Sequence, residues 1–132
     1  MSKMKICIID YGVGNIRSIV NAFNVFDNIR LKISNERSEI LSSQGLILPG
    51  VGAFASCMEN LKKNKIHKIL NKAVLDLNKP ILGICVGMQL MAEFSEENGE
   101  HKGLNWIPGN VMKIPSSKKF MVPHVGWNDL SN

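Results

Sequence analysis

Gly83-Ile84-Cys85-Val86-Gly87 places a thiol where an apolar strand, Pro80 to Ile84, gives way to apolar residues at helical spacing, Leu90, Met91 and Phe94. A glycine stands two residues to either side of the cysteine. This is the cysteine form of a nucleophile elbow, a strand-to-helix turn sharp enough to hold its central residue in a strained backbone conformation. The glycines leave room for neighbouring backbone, and a thiol at the start of a helix lies near unpaired N–H groups that favour the thiolate. A cysteine so held can serve as a nucleophile. A buried cysteine ending a core strand is the plainer reading of the same residues, so the rest of the chain has to decide.

Two more glycine-bearing segments follow apolar strands. Pro49-Gly50-Val51-Gly52 comes directly after Leu46-Ile47-Leu48. Backbone N–H groups of such a segment can point at a developing oxyanion, where one well-placed donor is worth about 3 kcal/mol; the alternative is an ordinary turn before a helix. Gly12 and Gly14 hint at a dinucleotide fingerprint, but Arg17 stands where the third glycine belongs, and a tight turn is the better reading. Gln89 lies one helical turn beyond Cys85 and can offer an amide to a ligand, or simply face solvent.

Cys7, inside the first strand, and Cys57, in a helical stretch, read as packing residues. An odd number of cysteines without paired spacing is no disulfide framework, and a reducing cytoplasm is the expected location. No Cys/His spacing makes a zinc site, and Glu96-Glu97 reads as a solvated helix end, so neither metal nor organic cofactor is expected.

The elements that must position these residues alternate. Met4 to Ile9 forms a strand, and Ile16, Ile19, Val20, Phe23 and Phe26 repeat at helical spacing. A short strand near Ile29 to Ile33, a weak segment to Ser43 and a strand at Leu46-Ile47-Leu48 follow. Helix then runs from Phe54 to Leu77, with a break at Asn64, until Pro80 stops it. Beyond the elbow helix, glycines and prolines punctuate short β pieces. This alternation predicts a single α/β domain over residues 1–132, with a mostly parallel sheet and helices on both faces. The three glycine loops, each ending a strand, should gather on the sheet edge where such folds place their sites.

Composition narrows the functions. The formal charge is +5, yet 13 of the 16 basic residues are lysines spread over several segments. Lys65, Lys68 and Lys72 fall on the polar side of a helix, and few aromatics are available to stack bases, which argues against nucleic-acid binding. No apolar run is long enough for a membrane span, and no signal-peptide pattern is present.

Five blocks, in order, resemble the class I (triad-type) glutamine amidotransferases, and within them the glutaminase subunits of imidazole glycerol phosphate synthases. They are Ile9-Asp10-Tyr11-Gly12-Val13-Gly14-Asn15, Leu48-Pro49-Gly50-Val51-Gly52-Ala53-Phe54, Gly83 to Leu90, Gly103-Leu104-Asn105-Trp106-Ile107 and Pro123-His124-Val125-Gly126-Trp127-Asn128. The resemblance implies a flavodoxin-like sheet and a glutaminase in which Cys85 attacks the side-chain amide of glutamine. Gly50, Val51, Gly52 and Val86 would then form the oxyanion hole, after a backbone rearrangement of the glycine-valine segment. Gln89 and Glu97 would contact glutamine. Asn15, His124 and Trp127 match positions at the interface with a cyclase subunit, a (β/α)8 barrel that receives the ammonia. Relatives that feed ammonia to a surface sugar carry the same motifs, and a non-catalytic docking remnant is the third reading.

The resemblance places the histidine and glutamate of the family triad C-terminal to the tryptophan block, outside residues 1–132. His67 and His101 read as surface residues and His124 as part of the interface motif, which leaves these residues with a nucleophile but no base. The expectation is a chain that hydrolyses glutamine weakly or not at all by itself, with an exposed sheet edge and apolar surface near its end.

Overall fold

A computed structural model describes residues 2–119 and 121–131. Strand β1 (Met4–Ile9) leads into helix α1 (Ile16–Phe23), strand β2 (Ile29–Ser34), helix α2 (Arg37–Ser42) and strand β3 (Gly45–Leu48). Helices α3 (Phe54–Lys63) and α4 (Ile66–Asn71) follow, then a π-helical turn (Lys72–Asp76) and strand β4 (Ile81–Gly83). A one-turn helix α5 (Val86–Gln89) precedes the short strands β5 (Ala92–Ser95), β6 (His101–Lys102) and β7 (Ile107–Val111).

The first four strands form one parallel sheet in the order β2-β1-β3-β4. Parallel strands need crossovers that cover both faces. On one face β1 and β3 bury Ile8 and Ile47 against Ile16, Ile19, Val20 and Phe23 of α1. On the other, Cys7, Ile9, Leu46 and Leu48 pack with Ile40 of α2, Phe54, Cys57, Met58 and Leu61 of α3, and Ile66 and Leu70 of α4. Alternate strand residues therefore feed two cores, and all four residues of β3 are buried. Helices change face between β1 and β3, so the crevice expected of such sheets opens at the C-terminal ends of those two strands.

Three expectations are corrected. The elbow helix does not run through Leu90, Met91 and Phe94. It stops at Gln89, because the Leu90 carbonyl accepts from Leu104 N–H and the Met91 carbonyl accepts from Trp106 and Ile107. With those acceptors occupied from across the chain, Ala92–Ser95 becomes the centre of a second sheet, β6-β5-β7, antiparallel to β6 and parallel to β7. Glu96 and Glu97 consequently follow a strand rather than end a helix. Helix α1 stops at Phe23, three residues before Phe26, whose N–H turns back onto the Phe23 carbonyl. The segment before Ser43, too weak to assign from its pattern, forms α2 and buries Ile40. The helix break falls as expected at Asn64, which caps α3, and extends to Lys65, where φ is 57°.

Among the described residues, no helix is long and apolar enough to cross a membrane.

Candidate active site

The site is built from chain ends leaving the parallel sheet side by side. Strands β3 and β4 run in register to Leu48 and Gly83. One residue further, the Ile84 N–H still donates to the Leu48 carbonyl at 3.0 Å. The next residue, Cys85, turns sharply, with φ 56° and ψ −124°. A side chain rarely adopts that backbone conformation, and holding it there costs on the order of 1–3 kcal/mol. The turn is paid back in exposure: Cys85 is the exposed cysteine, whereas Cys7 and Cys57 are buried.

Two glycines make the close approach feasible. A Cβ on Gly87 would lie 1.9 Å from the Leu48 carbonyl oxygen, and one on Gly50 would lie 2.5 Å from the Gly87 N. The Pro49–Gly52 segment therefore lies against the first turn of α5, backbone on backbone. Gly14, at the end of the β1 loop, completes the cluster, since its Cβ would lie 2.8 Å from Pro49 Cβ. The three loops expected to gather at one sheet edge do so.

The candidate oxyanion donors surround this turn. Val86 is the first residue of α5 and is buried; its N–H belongs to the first turn, where a helix offers no internal acceptor. Val51 is about half exposed, and Gly52 has φ 84°. From below, the buried Tyr11 hydroxyl donates to the Pro49 carbonyl and the Cys57 thiol to the Val51 carbonyl, the latter at 3.3 Å. Cys57 stands in the sequence only as a packing residue of a helical stretch. Tyr11 belongs to the Ile9–Asn15 block, but nothing in its spacing says that it reaches residue 49.

The remaining candidates distribute unevenly. Gln89 is the last residue of α5, half-buried, one turn from Cys85. The helix is so short that it carries little of the macrodipole invoked for the thiolate. Asn15 caps α1 through a side-chain oxygen that accepts from Ser18 N–H at 3.4 Å, and it sits on the same edge as the elbow. Glu97 is exposed and lines a groove of about 250 Å³ with Asn98, Lys113, Ile114 and Val122, none of them from the elbow. His124 bonds Asn128 at 2.8 Å, and Trp127 is fully exposed on the same segment. Exposed apolar side chains recur from Met112 to Leu130. His67 contacts the Leu61 carbonyl and His101 the Asn98 carbonyl; none of the three histidines has Cys85 as a partner. Among the described residues, no group of three or more His, Cys, Asp or Glu is placed to hold a metal ion.

Residues 7–128 match the family described as "Glutamine amidotransferase class-I". The chain is 50% identical over 127 residues to "Imidazole glycerol phosphate synthase subunit HisH 2" of Vibrio vulnificus, covering 96% of this chain and 59% of that protein. It is 46% identical over 129 residues to "Imidazole glycerol phosphate synthase subunit HisH" of Zymomonas mobilis, covering 95% and 61%. The protein of that name from Pelagibacter ubique is 40% identical over 132 residues, covering 97% and 64%. The chain thus spans about three-fifths of the length of these relatives.

Proposed function

Because the chain belongs to the class I glutamine amidotransferase family, we propose that it is the glutaminase part of an imidazole glycerol phosphate synthase, acting through Cys85. One observation carries this reading: an exposed cysteine held at φ 56°, ψ −124° directly beside the Pro49–Gly52 strand end. The thiolate sulfur attacks the side-chain carbonyl carbon of glutamine and a C–S bond forms. The carbonyl π electrons move to oxygen, which takes hydrogen bonds from backbone N–H groups of Gly50–Gly52 and Val86. Collapse of that intermediate breaks the C–N bond, and the departing nitrogen takes up the proton that the thiol gave up, leaving as ammonia. Water then hydrolyses the glutamyl thioester to glutamate and regenerates the thiol.

Gln89 would hold the substrate, one turn from the nucleophile. Glu97 is the weaker assignment, since its groove contains no elbow residue. Asn15, His124 and Trp127 would face a barrel-shaped cyclase that receives the ammonia; the exposure of Trp127 and of Val125 beside it supports a covered surface there. The names of the relatives support the histidine-pathway acceptor over a sugar, and a cytoplasmic location goes with it.

The test is glutamine hydrolysis by the native-length polypeptide with its cyclase, with and without Cys85→Ala. Turnover abolished by that substitution supports the reading; turnover that survives it removes Cys85 from the mechanism.

A further inference from the structure

The Tyr11 hydroxyl and the Cys57 thiol lie together beneath the Pro49–Gly52 segment, 5% and 0% exposed, and donate to the carbonyls of residues 49 and 51. Carbonyls two residues apart belong to the peptide units on either side of the Gly50–Val51 unit. That central unit has no hydrogen-bond partner among the described residues, and Val51 is half exposed. Gly50 has no Cβ, and one there would strike the Gly87 backbone, so the unit packs directly against the first turn of α5.

Resting on the glutaminase reading, we infer that Tyr11 and Cys57 are positioning residues: a two-point clamp that fixes the flanking peptides and so sets where the Val51 N–H points relative to Cys85. Each donor comes from a different part of the fold, Tyr11 from the loop after β1 and Cys57 from α3. The clamp therefore ties the segment across the crevice to the β1 loop and back onto the helix that follows it. Burial raises the Tyr11 phenol above its ordinary value, and the nearby Cys57 raises it further, so the hydroxyl stays a donor throughout the neutral range. An oxyanion donor must be aimed to within a few tenths of an ångström before reaction, and a peptide anchored at both ends meets that demand better than a free turn.

The experiment compares Tyr11→Phe, Cys57→Ala and Cys57→Ser in the native-length protein with its cyclase. Two rates are read: glutamine turnover, and alkylation of Cys85 by iodoacetamide located by peptide mass spectrometry. Alkylation displaces iodide at a saturated carbon and forms no oxyanion, so it reports the nucleophile alone. Tyr11→Phe and Cys57→Ala should each lower kcat about tenfold or more, with KM for glutamine within about twofold and Cys85 alkylation unchanged. Cys57→Ser, which keeps a donor, should recover most of kcat. Turnover within twofold of wild type in both Tyr11→Phe and Cys57→Ala overturns the clamp. So does a parallel loss of turnover and alkylation, which marks the pair as supports of the fold alone. A wild-type protein without Cys85-dependent turnover overturns the glutaminase reading itself, and the clamp with it.

Discussion

The Leu48 carbonyl oxygen accepts the Ile84 N–H at 3.0 Å and would lie 1.9 Å from a Cβ on Gly87. A single backbone oxygen thus ties the elbow to the neighbouring strand and excludes any side chain three residues later. The bond brings the Cys85 turn beside the Pro49–Gly52 segment, and the steric limit keeps it there.

Gly87→Ala should therefore destabilise the protein by about 1–3 kcal/mol, the usual cost of forcing a methyl group into a filled space. Cys85-dependent turnover should fall with it, because the backbone must shift at the elbow. Urea unfolding checks the first part; a change below about 0.5 kcal/mol would mean that the close approach relaxes freely.

Strain at Cys85 makes a second, opposite expectation. Cys85→Gly should be more stable than Cys85→Ala by about 1 kcal/mol, since glycine reaches φ 56° without a Cβ penalty while losing some chain entropy. Both variants should be inactive. Equal melting temperatures for the two would show that the turn is not strained in solution.

Cysteine reactivity should follow exposure. Brief treatment of the folded protein with an alkylating agent should modify Cys85, with Cys7 and Cys57 at least about a hundredfold slower, because both are 0% exposed and react only through opening of the core. Excess glutamine should protect Cys85. Early adducts at Cys57 would place that thiol outside the core.

Tyr11 makes alkaline pH destabilising. Its folded-state value is raised from 10.0 by burial, then by Cys57. Below pH about 10 both states keep the proton and the buried phenol's contribution is intact. Above it the unfolded chain ionises while the folded one does not, so stability falls as pH rises, by at most about 1.4 kcal/mol per unit from this group. The chain has one tyrosine, so tyrosinate absorbance reads it directly. The absorbance should stay flat past pH 10 until unfolding, and Tyr11→Phe should lose less stability than wild type over the same range.

Trp106 carries the second sheet onto the first layer of helices. Its indole N–H donates to Asn71 Oδ1 at 2.7 Å across a part-buried contact between α4 and the loop before β7. Asn71→Ala leaves that donor unpaired and should cost about 1–3 kcal/mol, with a change in tryptophan fluorescence. An unchanged denaturation midpoint would show that water replaces the amide without loss.

Much of the candidate site was legible residue by residue. Alternating apolar strands and helices announced a parallel sheet, and each glycine loop could be seen to end a strand, so convergence on one edge followed from topology alone. The Gly83–Gly87 pattern located the strained, exposed Cys85 turn for the same reason, because a strand-to-helix turn is local and its glycines are close in sequence. Where a long-range partner decided the outcome, the pattern misled. Leu90, Met91 and Phe94 keep helical spacing, yet Leu104, Trp106 and Ile107 take the carbonyls of Leu90 and Met91 and convert Ala92–Ser95 into strand.

The chain by itself determined its family, its sheet and which cysteine is the candidate nucleophile, because periodicity, glycine placement and motif order are properties of neighbouring residues. Tertiary structure alone decided that Tyr11 and Cys57 meet under the Pro49–Gly52 segment, from positions 38 and 6 residues away from their acceptors. It also decided that Gly87 is there to clear the Leu48 carbonyl. Hydrogen bonds and steric exclusions between distant segments depend on register and packing across the sheet, which no local pattern of apolar residues encodes.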